Sequence, residues 1–196
     1  MVAFPKVILA SGSPRRKQLL QQADIEFDVI VPNTAELVPP HTPLHQVPAI
    51  IALEKATAVN AQVQNNEVII LAADTVVLLK NQLIGKPAST QEAVAILQQL
   101  QGSTHTVVTG VAILYKGKTH QFSESTEVTM CPLTDAQIDY YVQTYQPFDK
   151  AGAYAIQEWI GAVAIEKING CYYNVMGLPI QKVYEYFQQI ILAETT

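Results

Sequence analysis

Asp74 is the residue in this chain whose setting most demands a chemical role. It is the only charged side chain from Val68 to Leu79, within the run Val-Ile-Ile-Leu-Ala-Ala-Asp-Thr-Val-Val-Leu-Leu. An unpartnered carboxylate in such a run would carry a heavy desolvation penalty, so it must cap a backbone break, pair with a cation or bind a metal. Two readings follow. One is an Asp-Thr turn between two strands; the other is a functional carboxylate at a strand end facing a cleft. Glu36 lies in a proline-rich loop and alone reads as a surface acid. Paired with Asp74 it could hold Mg²⁺, which takes one or two carboxylates together with substrate phosphates.

A second group of residues asks for an anion. Ser11-Gly12-Ser13-Pro14-Arg15-Arg16 follows the apolar run Val7–Ala10 and opens a helix-like segment ending near Leu20. Ser13 suits the N-cap and Pro14 the first helical position, where a missing N–H loses nothing. The helix end then offers backbone N–H groups to a phosphate, and Arg15 and Arg16 can each grip its oxygens in a fork. A capped surface helix with solvated arginines is the plainer account. Helical projection puts Arg16 nearer the face of Leu19, Leu20 and Ala23, so one arginine can brace the turn while the other meets substrate.

Three further residues are weaker candidates. Lys86, between Gly85 and Pro87, supplies a fixed positive charge or belongs to an ordinary turn. Gln157 ends Phe148-Asp149-Lys150-Ala151-Gly152-Ala153-Tyr154-Ala155-Ile156-Gln157 and carries the donor and acceptor needed to read a base edge. A salt-bridged loop with a solvated glutamine fits equally. His105, among threonines, reads as a structural histidine, and Tyr140, Tyr141 and Tyr145 as packing. The chain has no GxxxxGK[ST], which excludes a Walker-type cradle.

The elements that must position these residues interleave. Strands are expected over Val7–Ala10, Ile25–Val31 and Val68–Ala73, with a hairpin from Thr75–Leu79 to Gln82–Ile84 around Lys80-Asn81. Helices are expected over Leu44–Val63, with Pro48 in the first turn, and from Ser89, a capping box with Glu92, to Gly102. Thr104–Tyr115 and Thr119–Met130 read as a long hairpin, and Thr134 with Gln137 as the cap of a helix ending at Tyr145. A strand running to Ile168, a turn at Asn169-Gly170 and a final helix from Pro179 complete the pattern. The antiparallel hairpin among parallel-type units predicts a mixed sheet in an α/β protein.

Composition limits the partners. The 196 residues, 49% hydrophobic, can bury a full core. A net charge of −5 argues against a nucleic-acid polymer, and Arg15-Arg16-Lys17 concentrates three of the 12 basic residues. Cys131 and Cys171 form no CxxC or zinc pattern and are expected as reduced, buried thiols. No segment reaches the ~18 unbroken apolar residues of a membrane span, and none reads as a signal peptide. A cytoplasmic protein without membrane partners is expected.

Taken in order, these segments resemble the Maf family of nucleoside triphosphate pyrophosphatases. The resemblance is carried by LASGSPRRKQLL at Leu9–Leu20, Glu36, EKA at Glu54–Ala56, AADTVV at Ala72–Val77 and GKP at Gly85–Pro87. It continues through HTVVTGVAI at His105–Ile113, DKAGAYAIQ at Asp149–Gln157 and NVMGLP at Asn174–Pro179. It implies one Maf-like domain over residues 1–196, with an elongated mixed sheet and flanking helices in two lobes around a cleft, similar to inosine triphosphate pyrophosphatases. It also implies hydrolysis of the α–β phosphoanhydride of a nucleotide, with Mg²⁺ or Mn²⁺ as cofactor, in a homodimer. On that resemblance Asp74 is the proton acceptor, Glu36 and Lys86 complete the catalytic set, and Glu36 and Asp74 hold the metal. Ser11, Ser13, Arg15, Arg16, Lys55, Thr75 and Gln157 fall in substrate binding. DKAGAY marks the branch that prefers dTTP and UTP; a sister branch resembling enzymes for 7-methyl-GTP lacks it. Two positions depart from the pattern: Ile50, often arginine, and Gln146, often acidic. A modified nucleotide as substrate, or a nucleotide-binding role in cell division, are the alternatives.

Overall fold

Val7–Leu9 and Ile69–Leu71 carry only branched apolar side chains, the composition of strands covered on both faces. In the computed structural model, which describes residues 4–195, these two segments pair in parallel, Val7 opposite Ile69 and Leu9 opposite Leu71. The chain runs through β1 (Val7–Leu9), α1 (Pro14–Gln22), β2 (Phe27–Val29), α2 (Val47–Val63), β3 (Ile69–Leu79), β4 (Gln82–Ile84) and α3 (Thr90–Leu100). It continues with β5 (Thr104–Tyr115), β6 (Lys118–Met130), α4 (Asp135–Tyr145), α5 (Trp159–Ala164), β7 (Ile165–Asn169), α6 (Tyr172–Met176) and α7 (Ile180–Thr195). The seven strands form one mixed sheet in the order β2-β1-β3-β5-β6-β7, with β4 paired to β3. β1 is parallel to β2 and β3, whereas β4 and β7 run antiparallel to their neighbours.

The chain divides into two compact units. The first comprises the chain up to Asp74, Thr109–Glu124 and the chain from Gly177 on. Its core brings Ala52, Ala56 and Val59 of α2 together with Ile8, Ile70, Ala72 and Ala112 of the sheet and with Ala10, just beyond β1. Alanines on both sides of that contact let the helix lie close to the strands. The second unit comprises Thr75–Val108 and Ser125–Met176. There α3 packs on α4, and Gln98 Nε2 donates to Asp135 Oδ1 at 3.2 Å.

The caps expected at Thr134 and Ser89 form, the second with one difference. Thr134 and Gln137 make the full reciprocal box that starts α4. Ser89 Oγ accepts the Glu92 N–H, but the Glu92 carboxylate reaches one residue further back, to the Ala88 N–H at 2.7 Å. Gln146, noted above as a departure, ends α4 in the left-handed conformation (φ 44°), its N–H on the Val142 carbonyl.

Four local expectations are corrected. Residues 69–79 form one continuous strand, so Asp74 is not a turn residue between two strands, nor at a strand end. Residues 159–164 are helical, where a strand was expected, because the apolar spacing of Trp159, Ile160 and Val163 suits a short turn of helix as well. A second short helix, Tyr172–Met176, was not foreseen. Cys131 and Cys171 are free thiols, as expected, but partly exposed rather than buried. His105 is the structural histidine expected: it is buried, and its Nε2 lies 2.7 Å from the Tyr154 hydroxyl. Burial depresses its pKa to about 4, so the ring is neutral at pH 7.

Candidate active site

In a strand, side chains two apart share a face. Asp74 therefore shares the face of Ile70 and Ala72, the face on which α2 packs. That register brings Asp74 to Lys55 of α2, whose Nζ lies 2.8 Å from Asp74 Oδ1. The same ammonium lies 2.9 Å from Glu36 Oε1. The side chains of Lys55 and Asp74 are only 14% and 17% exposed, so this is where the apolar run resolves its lone carboxylate: it pairs with a cation. Glu36 is more open and sits at φ 52°, a conformation an L-residue seldom takes. The loop is held there by two adjacent helix residues. Lys55 grips the Glu36 carboxylate, and Glu54 Oε2 accepts the Leu37 N–H at 3.0 Å.

At the first turn, Ser13 occupies the N-cap position and Pro14 the start of α1, but the Ser13 side chain makes no capping bond. Its own N–H instead donates to Ser11 Oγ at 3.2 Å. Arg16 Nη1 also donates to Ser11 Oγ, at 3.1 Å, and Nε donates to the Gly177 carbonyl at 2.8 Å. Gly177 has φ 113°, which a glycine adopts without strain. Arg16 is buried and Arg15 half-buried, as the helical projection implies. Burial holds the Arg16 pKa down to about 10; the charges of Asp74 and Glu36 oppose that shift, while Arg15 adds to it. Arg16 thus stays protonated at neutral pH, within the field of Asp74, Arg15 and Glu36.

Thr75, Lys86 and Gln157 belong to the second unit. Thr75 follows Asp74 on β3 and points to the opposite face of the sheet. Lys86 is exposed just beyond β4. The preceding Gly85 carbonyl accepts the N–H of Gly152 at 3.0 Å, which ties the GKP segment to the DKAG loop. Gly152 has φ 73°, and a Cβ there would lie 3.0 Å from Val77 Cγ2, so this contact also requires glycine. Gln157 is exposed at the end of the buried run Gly152–Ile156. It lines a cavity of about 480 Å³ with Glu158, Gly161, Ile165, Glu166 and Tyr172, among others.

Among the described residues no group of three or more His, Cys, Asp or Glu side chains could hold a metal ion. Glu36 and Asp74 nonetheless converge on one positive centre, the Lys55 ammonium. Two hard oxygen donors around a shared cation fit a Mg²⁺ or Mn²⁺ ion that takes its remaining ligands from water and phosphate.

Sequence reasoning named no role for Glu54, Gly177 or Asn174, though each lies in a quoted motif. Glu54 holds the Glu36 loop and Gly177 braces Arg16. Asn174, fully buried, donates to the Val107 carbonyl and to Thr126 Oγ1. An apolar neighbourhood around a lone Asn was the available signal.

The family model and the sequence relatives that match this chain cover almost all of it. A family model described as Maf-like protein matches residues 6–190. The chain is 46% identical over 180 residues to a dTTP/UTP pyrophosphatase of Phocaeicola vulgatus, covering 91% of this chain and 93% of that one. It is 44% identical over 188 residues to a dTTP/UTP pyrophosphatase of Cytophaga hutchinsonii, covering 96% and 85% respectively. The corresponding protein of Bacillus cereus is 45% identical over 184 residues, covering 94% and 95%. Among solved structures, a HAM1 protein from Coxiella burnetii aligns with a TM-score of 0.44 and 16% identity, over 64% of this chain and 73% of that one. Sequence matches of this length and identity, spanning Arg16, Glu36, Lys55 and Asp74 alike, mean that the chain belongs to the Maf-like family.

Proposed function

We propose that this chain is a pyrophosphohydrolase that cleaves dTTP and UTP to the monophosphate and pyrophosphate. The single observation that carries the chemistry is Lys55 held between Glu36 and Asp74, beside a buried, protonated Arg16. A triphosphate brings several negative charges to an acidic protein, and this cluster is where cations are concentrated and fixed. Asp74 accepts a proton from, or orients, the water that attacks phosphorus in line. Arg15 and Lys86 bind phosphate oxygens. Arg16 and Ser11 hold the turn that presents Arg15, and Ser13 contributes to substrate binding there. Lys55 exchanges a carboxylate partner for phosphate, Thr75 contacts the nucleotide, and Gln157 reads the base. A divalent ion on Glu36 and Asp74 would draw charge from the triphosphate and so lower the barrier to attack. The chain works as one domain over residues 1–196, in the cytoplasm and as a homodimer. Among the described residues no helix is long and apolar enough to cross a membrane.

With Mg²⁺ present, UTP is expected to yield pyrophosphate and UMP in equal amounts, with no orthophosphate from the γ position. Excess EDTA should abolish turnover, and added Mg²⁺ or Mn²⁺ should restore it. Full activity in EDTA would remove the metal from the proposal.

Base choice is tested at Gln157. Uracil and thymine present an acceptor–donor–acceptor edge, and a side-chain amide can complement part of it. Cytosine places a donor where uracil has O4, which leaves a buried polar atom mismatched. UTP and dTTP should therefore be used well ahead of CTP, ATP and GTP. Gln157→Ala should lower kcat/KM for UTP more than for CTP. An equal loss for both would mean that Gln157 supports its loop and does not read the base.

A further inference from the structure

Gln157 is exposed, yet the residues on either side of it are fastened from the protein interior. On one side, the Tyr141 hydroxyl accepts the Ala155 N–H at 3.1 Å. On the other, the same hydroxyl donates to Glu158 Oε2. Tyr141 is fully buried, and its ring stacks on Tyr145 with centroids 5.0 Å apart. The second carboxylate oxygen, Glu158 Oε1, lies 3.4 Å from Lys150 Nζ, whose side chain is 9% exposed and also holds Asp149 Oδ1 at 2.9 Å. The Glu158 backbone is fixed too: its N–H donates to the Ala155 carbonyl, and its carbonyl accepts the Gly161 N–H at 2.9 Å.

From this clamp we propose that Glu158 is a positioning residue for base discrimination: gripped by Tyr141 and Lys150, it fixes the backbone from which Gln157 reaches into the cavity beside it. The proposal rests on the reading of Gln157 as the residue that meets the base. A solvated glutamine on a mobile loop would satisfy either uracil or cytosine by shifting to suit it. Discrimination needs an amide that does not shift, so that a mismatched base leaves polar atoms unpaired. Lys150 and Tyr141 supply that rigidity from buried positions. A surface ion pair would lose most of its hold to solvent and to the entropy of two long side chains. Here both partners of Glu158 are already ordered by packing.

The test measures kcat/KM for UTP and CTP, with melting temperatures, in Glu158→Ala, Glu158→Gln, Tyr141→Phe, Gln157→Ala and the Gln157→Ala/Glu158→Ala double variant. Glu158→Ala and Tyr141→Phe should each lower the UTP:CTP ratio by about tenfold, mostly through a higher KM for UTP. Glu158→Gln, which keeps an acceptor for the Tyr141 hydroxyl, should retain more of the ratio than Glu158→Ala. The double variant should discriminate no worse than Gln157→Ala alone, because both changes act through one amide. A merely structural role would lower melting temperature and slow both nucleotides alike, leaving the ratio intact. If Gln157→Ala narrows the ratio but Glu158→Ala and Tyr141→Phe do not, the clamp is overturned while the base-reading role stands. If Gln157→Ala itself leaves the ratio unchanged, the base-reading role fails and the clamp fails with it. Should Glu158→Ala not fold, Tyr141→Phe carries the comparison, since it removes one hydroxyl and keeps the buried ring.

Discussion

Asp74→Asn is expected to lower UTP turnover by about 10²-fold or more, the scale of losing a general base, while the melting temperature changes little. The separation of the two effects follows from the geometry. Asp74 lies inside a continuous strand whose backbone pairing does not depend on the side chain, so the ladder survives the change. Asparagine keeps an oxygen acceptor 2.8 Å from the place of the Lys55 ammonium, which limits the loss of local structure. It cannot accept a proton at neutral pH, and it takes one negative charge from beside Arg16 and Glu36. UTP binding should persist or tighten, because less negative charge then faces the phosphates. Steady-state kinetics, a thermal melt and nucleotide titration on the same sample separate the possibilities. Unfolding would show that the carboxylate serves the strand, whereas near-normal turnover would show that another group activates the water.

The sequence was most informative where one physical constraint dominated. A lone carboxylate in a run of twelve residues, ten of them apolar, had to find a partner, and it found the Lys55 cation. Pro14 and Pro48 could stand only in first helical turns, and both do. The capping box at Thr134 was legible because each of its two bonds is local. What could not be read depends on partners far apart in the chain. Arg16 is braced by the carbonyl of Gly177, 161 residues away, and no local pattern announces that contact. The adjacent pair Glu54 and Lys55 holds the Glu36 loop from 17 and 19 residues downstream, so only Lys55 surfaced, and only through a resemblance. The helix at Trp159–Ala164 was mistaken for a strand because six residues are too few to separate a 3.6 period from alternation. The Tyr141–Glu158–Lys150 clamp was hidden for a different reason. Its tyrosine reads as ordinary packing by helical spacing, which it also is.

Gly110→Ala should damage the first unit far more than one added methyl ordinarily does. Gly110 lies in β5 beneath the first turn of α2, and a Cβ there would stand 2.1 Å from the Ala49 nitrogen and 2.3 Å from the Pro48 carbonyl carbon. The obstructing atoms are backbone, so no rotamer change relieves the clash. The helix is further tied down by Gln121 Nε2, which donates to the Ala49 carbonyl at 2.7 Å. Added core methylenes ordinarily cost about 1–3 kcal/mol because neighbouring side chains can give way. Here the helix itself must move, and the cost should take most of a total stability of about 5–15 kcal/mol. Gly117→Ala is the matched control. Gly117, unlike Gly110, has positive φ (71°), in the β5–β6 turn, but nothing lies within 4 Å of its would-be Cβ, so only the backbone strain of about 1 kcal/mol is expected. Thermal melts should therefore show a small shift for Gly117→Ala, and for Gly110→Ala a collapse or failure to accumulate folded protein. Any Gly110→Ala that does fold should also lose turnover, because a displaced α2 carries Lys55 away from Glu36 and Asp74. Equal melting temperatures for the two variants would mean that α2 does not lie this close to β5.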